Sequence, residues 1–301
     1  MNIASTTITT PKNPQGEPAI FIVGHGTKSL QGQRELEEAV QMLSQSLPTR
    51  KVGYGYLELA HPTIEEGLEE LIDATTFAVT VIPLVLLGAG HAKTDIPGAV
   101  EMARISFPGV TFSYGNKLGP NLHLIDAFAE NLLRNDLVTI GESRDISVLL
   151  VGRGSTDPDA NSDLFKIGRM LQEIYRFDAV ECCFISLAEP SVAMGLNRLK
   201  LLEKKSVFIL PYFLFNGALT QRICDQSKDW NAKNPDVGIS MVGPLGPHEV
   251  LSKLMTEKIS EAENGKIHMS CDLCIYRTRT RGFSDKFTQP IEVRFGAAHQ
   301  H

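Results

Sequence analysis

The sequence lacks any apolar run long enough to cross a membrane. Its longest apolar stretch, residues 77–90, has 14 residues and includes a threonine and a proline, whereas a transmembrane helix needs about 20 residues. The first 18 residues are polar and contain neither an arginine nor the apolar segment of a secretory signal. We therefore expect a soluble, cytoplasmic protein in which residues 1–18 form a disordered leader.

Cysteine is scarce, and positive charge is not in excess. The five cysteines, at positions 182, 183, 224, 271 and 274, are odd in number and unevenly spaced, which argues against a disulfide framework. With 29 Lys and Arg against 35 Asp and Glu, the net charge is −6, so nothing indicates a nucleic-acid partner. A strongly anionic ligand would need a local basic or amide-rich cleft.

An internal repeat dominates what the sequence does contain. Three blocks of the first half recur in the second half at a shift of 128 residues: VGHG at 23–26 as VGRG at 151–154, YLELAHP at 56–62 as FISLAEP at 184–190, and IPL at 82–84 as LPY at 210–212. Three collinear matches at one offset are not expected by chance. The chain is therefore predicted to be an internal duplication.

Within each copy, β-rich runs alternate with helical segments, which predicts parallel βαβ units in an open sheet with helices on both faces. We expect a first lobe at 19–137, a linker near 138–145, a second lobe at 146–263 and a flexible tail at 264–301. Ligands of such sheets bind outside the carboxyl ends of the strands. His25, Glu58 and His91 each follow a predicted strand, so we expect the fold to gather them on one edge.

These polar residues are the part of the repeat that differs between the copies. His25, Glu58 and His91 correspond to Arg153, Ser186 and Leu219 in the second copy. Residues needed for folding tend to persist in both copies, whereas residues used for chemistry need survive in only one. The first copy is therefore predicted to carry the reactive site. Two imidazoles and a carboxylate suit an open site for a divalent metal, or they could act as general bases.

Three motifs carry a resemblance to a known family. VGHGT at 23–27, YLELAHP at 56–62 and PLVLLGAGHAKTDIP at 83–97 resemble the class II tetrapyrrole chelatases, the group of sirohydrochlorin cobaltochelatases and ferrochelatases. The resemblance covers about residues 19–262. It implies an α/β chain of two tandem flavodoxin-like, chelatase-type lobes, each a parallel four-stranded sheet flanked by helices, with the tetrapyrrole held between them.

The resemblance also implies roles for the residues of the first lobe. His25 and His91 would contact the incoming metal and accept pyrrole protons, and Glu58 would assist. The substrate metal would be Co²⁺ or Fe²⁺. His and Glu ligands do not choose between neighbouring borderline metals, and we favour cobalt because the chain has the long, two-lobed form together with a tail motif described below.

Sirohydrochlorin is polyanionic, which meets the requirement for a local basic cleft. The candidates for binding its carboxylates are Lys28, Ser29 and Lys93 beside the two histidines and Arg153 from the second lobe. Arg153 replaces the histidine at the matching strand end, so it could hold a carboxylate while the first lobe handles the metal. Lys28 and Lys93 could equally be exposed surface charges.

Residues 268–274 (HMSCDLC) place Cys271 and Cys274 in a CxxC pair outside both copies. Such a pair is compatible with redox chemistry, half a zinc site or part of an iron–sulfur site. MxCxxC resembles the C-terminal motif of long-form cobaltochelatases, some of which carry an iron–sulfur cluster there, so the resemblance makes a [4Fe–4S] cluster a candidate. Two thiolates are fewer than the four ligands that such a cluster usually has, and a second subunit could complete it.

Other functions remain open at this point. The protein could be a sirohydrochlorin ferrochelatase, or a non-catalytic carrier of tetrapyrrole or metal that uses the same cleft, as a monomer or a homodimer. A carrier would not need His25, Glu58 and His91 together. A two-lobed solute-binding protein of the periplasmic type is a third alternative, against which the lack of a signal peptide and the cysteine pattern weigh.

Overall fold

A computed structural model describes residues 16–133 and 146–265, and for His91 it describes the backbone alone. The predicted linker at 138–145, the CxxC pair, and most of the predicted leader and tail lie outside these residues. The described residues fall within one compact unit. No helix among them combines the length and the apolar character needed to cross a membrane.

Eight parallel strands form two sheets of identical topology. The first sheet has the order β2-β1-β3-β4, with β1 at Ala19–Gly24, β2 at Val52–Tyr56, β3 at Ala78–Pro83 and β4 at Thr111–Tyr114. The second has the order β6-β5-β7-β8, with β5 at Ser147–Gly152, β6 at Ala179–Phe184, β7 at Ser206–Pro211 and β8 at Gly238–Met241. The predicted pair of four-stranded parallel sheets is therefore confirmed.

Helices follow the strands in both copies. They are α1 at Leu30–Ser46, α2 at Ile64–Leu71, α3 at Ile96–Ser106, α4 at Leu122–Leu133, α5 at Pro158–Tyr175, α6 at Val192–Leu201, α7 at Ala218–Lys233 and α8 at Glu249–Glu263. A π-helical turn at His91–Asp95 leads into α3. Helix α1 begins at Leu30, because the Ser29 side chain accepts a hydrogen bond from the Gly32 amide and caps the helix.

The third strand ends before the apolar stretch at 77–90 does. Strand β3 stops at Pro83, whose nitrogen has no hydrogen to donate to a ladder. The chain then leaves the sheet through a loop with two glycines, Gly88 and Gly90. A loop at 84–90 therefore separates the end of β3 from His91.

One apolar core joins the two sheets. Residues alternate along β1, so that Ile20 and Ile22 enter a cluster that also contains Val148 and Leu150 of β5, as the period of two in a strand requires. The intervening residues of each strand belong to two separate outer cores. The central core therefore lies between the lobes and belongs to both.

Each copy contributes its last helix to the packing of the other copy. Helix α8 contacts α1, β3 and β4 of the first lobe, whereas α4 contacts α5 and β7 of the second. At the end of α8, the Glu263 carboxylate accepts a hydrogen bond from the buried Thr80 hydroxyl of β3 at 2.8 Å, and it also pairs with Arg50. The two copies are consecutive in sequence and interlocked in space.

This interlocking predicts that the two lobes unfold together. Leu43→Ala in α1 removes a fully buried side chain from the shared core and should cost roughly 2–5 kcal/mol. The single tryptophan, Trp230, lies on α7 of the second lobe, so its fluorescence reports on that lobe alone. We expect the thermal midpoints from circular dichroism and from Trp230 fluorescence to fall by the same amount.

Ile105→Ala is the matched control, because this side chain of the first lobe is 72% exposed and its loss should leave both midpoints unchanged. A Trp230 transition that stays in place while the Leu43→Ala protein loses first-lobe structure would contradict a shared core.

Candidate metal and tetrapyrrole site

The loops that follow β1 and β2 are joined backbone to backbone. The Leu57 amide donates to the Gly24 carbonyl at 2.9 Å, and the Glu58 amide donates to the His25 carbonyl at 3.1 Å. Gly26 permits this approach, since it has a φ of 95° and a Cβ added there would lie 1.7 Å from the Glu58 carbonyl oxygen. Only glycine fits such a position. The glycine beside His25 therefore brings Glu58 next to it.

The second copy repeats this loop pairing with other side chains. Gly154 has a φ of 86°, and a Cβ there would lie 1.8 Å from the Ser186 carbonyl oxygen. The Ser186 amide donates to the Arg153 carbonyl at 2.9 Å. Backbone geometry is therefore kept in both lobes, while the imidazole and the carboxylate of the first lobe are replaced by a guanidinium and a hydroxyl.

His25 lies at the contact between the lobes. Its Nε2 is 3.5 Å from the Glu58 carboxylate and 3.2 Å from Nη1 of Arg153. A guanidinium has donors only, so in a hydrogen bond with Arg153 the Nε2 atom is the acceptor, whereas in an ion pair with Glu58 it carries the proton. Nδ1 lies 3.3 Å from the Gly26 carbonyl oxygen. Nε2 thus faces the inter-lobe contact, with the His25 side chain 31% exposed.

Strand topology explains why ligands would reach this edge. Strands β1 and β3 are neighbours, but their following helices go to opposite faces: α1 packs in the central core and α3 in the outer core of the first lobe. Such a switch point leaves a crevice at the carboxyl ends of the two strands. His25 follows β1, and the π-helical turn that begins at His91 follows β3. The assignment of His91 stays a prediction.

Lys93 connects the lobes in this structure. Its Nζ donates to Asp157 at 2.7 Å and to Asp159 at 2.8 Å, and its side chain is only 7% exposed. A second, largely buried ion pair joins Lys117 to Asp163. Substrate binding by Lys93 stays a prediction. To bind the substrate, the Lys93 ammonium group would have to give up its hydrogen bonds to Asp157 and Asp159.

The acidic partners of Lys93 were not singled out from the sequence. Asp157 stands 128 residues after Ser29, and each caps the first helix of its copy. The repeat alignment could therefore have shown that an anionic cap replaces a neutral one. The alignment could not have shown that Asp157 pairs with Lys93 of the other lobe.

The other predicted carboxylate-binding residues occupy different environments. Lys28 is exposed, whereas the Ser29 hydroxyl is engaged in capping α1. His61, which follows β2, hydrogen-bonds Glu66 at 2.8 Å. Hydrogen bonds from His61 and from the Thr63 amide lower the pKa of the Glu66 carboxyl. His61 thus contributes to the N-terminal cap of α2.

Two neighbouring cysteines of the second lobe differ from metal-binding thiolates. Cys182 and Cys183 of β6 are buried, and burial raises the pKa of the Cys182 thiol to about 12 and that of Cys183 further. Both thiols therefore stay neutral. Among the side chains that the structure describes, no group of three or more His, Cys, Asp or Glu is arranged to hold a metal ion.

Comparisons with known proteins agree with this architecture. The CbiX family model matches residues 19–135 and 147–262. A sirohydrochlorin cobaltochelatase of Priestia megaterium is 32% identical over 259 residues, or 86% of this chain and 84% of that protein. A sirohydrochlorin ferrochelatase of the same organism is 30% identical over 248 residues, or 82% and 91%.

A solved structure extends the similarity to the fold. SirB from Bacillus subtilis with Fe³⁺ is 30% identical to this chain, with a TM-score of 0.71 over 83% of this chain and 97% of that one. These findings confirm the resemblance that the motifs indicated and the two-lobed fold that it implied.

The loop pairing at Gly26 can be tested directly. Gly26→Ala would force a left-handed alanine into the Glu58 carbonyl and should lower the free energy of unfolding by roughly 2–4 kcal/mol, as measured by urea denaturation. Gly98→Ala in α3 is the control, because nothing lies within 4 Å of a Cβ there and alanine favours a helix. Equal stability of the two variants would show that the loops are not closely paired.

Proposed function

The chain belongs to the CbiX family, and we propose that it is a sirohydrochlorin chelatase, an enzyme that inserts a divalent metal ion into that tetrapyrrole. One observation carries the assignment within this chain. Nε2 of His25 lies 3.5 Å from the Glu58 carboxylate at the switch point of the first sheet, where ligands of open α/β sheets bind.

The chemistry of insertion suits this pair. Two pyrrole protons must leave as the metal exchanges its bound waters for pyrrole nitrogens. The lone pair of His25 can bind the metal briefly or accept a proton, and Glu58 can stabilise the imidazolium that results before the proton passes to water. His91, at the neighbouring strand end, would supply the second base. Because the protein supplies only a few ligands, the metal can still be released to the tetrapyrrole.

Arg153 has a different part in the proposed reaction. A guanidinium binds a carboxylate in a bidentate manner, more strongly than it binds an imidazole nitrogen. When Arg153 binds a carboxylate of the tetrapyrrole, it no longer occupies the lone pair of His25, which can then bind the metal. Lys28, exposed beside the same loop, would bind another carboxylate. The net charge of −6 makes such local cations necessary.

We favour Co²⁺ as the substrate metal. Two features support this preference, the long two-lobed form and the MxCxxC motif at 269–274, which resembles the tail of long-form cobaltochelatases. The identities to the cobaltochelatase and the ferrochelatase, 32% and 30%, are too close to separate the metals. A [4Fe–4S] cluster on Cys271 and Cys274 stays a prediction.

Metal insertion can be followed by the absorbance change of sirohydrochlorin in separate assays with Co²⁺, Fe²⁺ and Ni²⁺. We expect the fastest insertion with Co²⁺. His25→Ala and His91→Ala should each lower the rate by roughly 100-fold, since each removes a metal-binding base. His123→Ala, at an exposed histidine of α4, should have no effect.

Two results would contradict this proposal. If both His25→Ala and His91→Ala retained the wild-type rate, the site assignment would be wrong. If the wild-type protein bound the tetrapyrrole without inserting any of the three metals, a carrier would be the better description.

The role of Arg153 predicts a change of another kind. Arg153→Gln should raise the KM for sirohydrochlorin by about tenfold with a smaller change in kcat, and it should tighten the binding of Co²⁺ to the protein alone, because the His25 lone pair is no longer occupied. Steady-state kinetics and a metal titration measure these effects, with Lys166→Gln on α5 as a charge-matched control. Weaker Co²⁺ binding by the variant would contradict this role.

A further inference from the structure

Two leucines at the edge of the site combine exposure with an unfavourable backbone. Leu59 and Leu187 are 53% and 62% exposed, and their φ angles are 64° and 56°. Left-handed backbone is rare for branched, bulky side chains and common for glycine and asparagine. Neither leucine is buried enough for packing to offset that cost. Holding these two leucine side chains exposed on a left-handed backbone therefore lowers the free energy of unfolding.

The two leucines are equivalent positions of the repeat, separated by 128 residues. No other pair of large exposed apolar residues among those the structure describes is related in this way: Leu30 corresponds to Pro158, for example. The remaining described non-glycine residues with positive φ, Arg176 and Glu203, do not share the offset either. Exposure and backbone conformation thus single out the same pair independently.

The backbone places this pair on either side of the contact between the lobes. Leu59 directly follows Glu58, whose amide is bonded to the His25 carbonyl, and Leu187 directly follows Ser186, whose amide is bonded to the Arg153 carbonyl. The side chains of His25 and Arg153 are themselves in contact. One leucine from each lobe is therefore held close to the residues that would handle metal and carboxylate.

We propose that Leu59 and Leu187 form an apolar clamp that contacts the tetrapyrrole ring system from the two lobes. This inference rests on the proposed function. The ring system of sirohydrochlorin is flat and apolar while its carboxylates lie at the periphery, so it needs apolar contacts beside the cations. Leucines at equivalent positions of the two lobes can contact such a ligand from both sides, whereas the chemistry at His25 is needed on one side only. The clamp fixes where the ring lies relative to His25.

Replacement by asparagine separates a ligand-binding role from a structural one. Asparagine accepts a left-handed backbone, so Leu59→Asn and Leu187→Asn should leave the thermal midpoint unchanged or raised. Each should weaken the binding of metal-free sirohydrochlorin by roughly fivefold, as apolar contact is lost, and the double variant should bind more weakly than either single variant. Fluorescence titration without metal measures both.

Two further variants complete the test. Leu59→Met keeps an apolar side chain of similar volume and should retain near wild-type affinity. Leu201→Asn alters a leucine that is 83% exposed at the end of α6 and should change nothing.

Unchanged affinity of the double variant would overturn the clamp, and so would a clear fall in its thermal midpoint, which would make the leucines structural. Failure of the wild-type protein to bind sirohydrochlorin is a distinct result. It would overturn the proposed function, and the clamp with it.

Discussion

The packing of each copy's last helix against the other copy's sheet is the constraint on which the rest of the structure depends. Because α8 lies against β3 and β4 while α4 lies against β7, neither sheet has its inner face covered by its own copy alone. The central core that results holds the lobes in one fixed relation. The strand ends of both copies then meet at a defined place, where His25 contacts Arg153.

That meeting turns a symmetric scaffold into an asymmetric site. Glycines at 26 and 154 allow the same close loop pairing in both lobes, so backbone geometry is shared, and chemistry differs only through the side chains. An imidazole with a carboxylate on one side and a guanidinium on the other suits a reaction in which a metal ion and an anionic ring must arrive together. The ion pairs of the buried Lys93 side chain with Asp157 and Asp159 reinforce the same junction.

The loops of the site, and Arg153 of the second lobe as part of it, could be predicted from the sequence, but the other contacts between the lobes could not. Two sequence features were enough to locate the loops and to predict the fold class: the glycines beside His25 and the repeat that aligns His25 with Arg153. A backbone conformation that requires glycine leaves a clear residue pattern. The partners of Lys93 and the packing of α8 were not predictable in the same way. They depend on how two lobes face each other, which no periodicity within one lobe encodes. The early end of β3 at Pro83 is a smaller case, where an apolar run continued past the strand.

We propose that the chemistry belongs to the first lobe although the scaffold is duplicated. The most direct measurement is the metal-insertion rate of a reciprocal exchange, His25→Arg combined with Arg153→His, which keeps one imidazole and one guanidinium at the junction. Glu58 stays in the first lobe, and its counterpart in the second is Ser186. We expect the exchanged protein to fold and to be as inactive as His25→Arg alone. Recovery of the wild-type rate would contradict the claim, because the imidazole would then work equally well from either lobe.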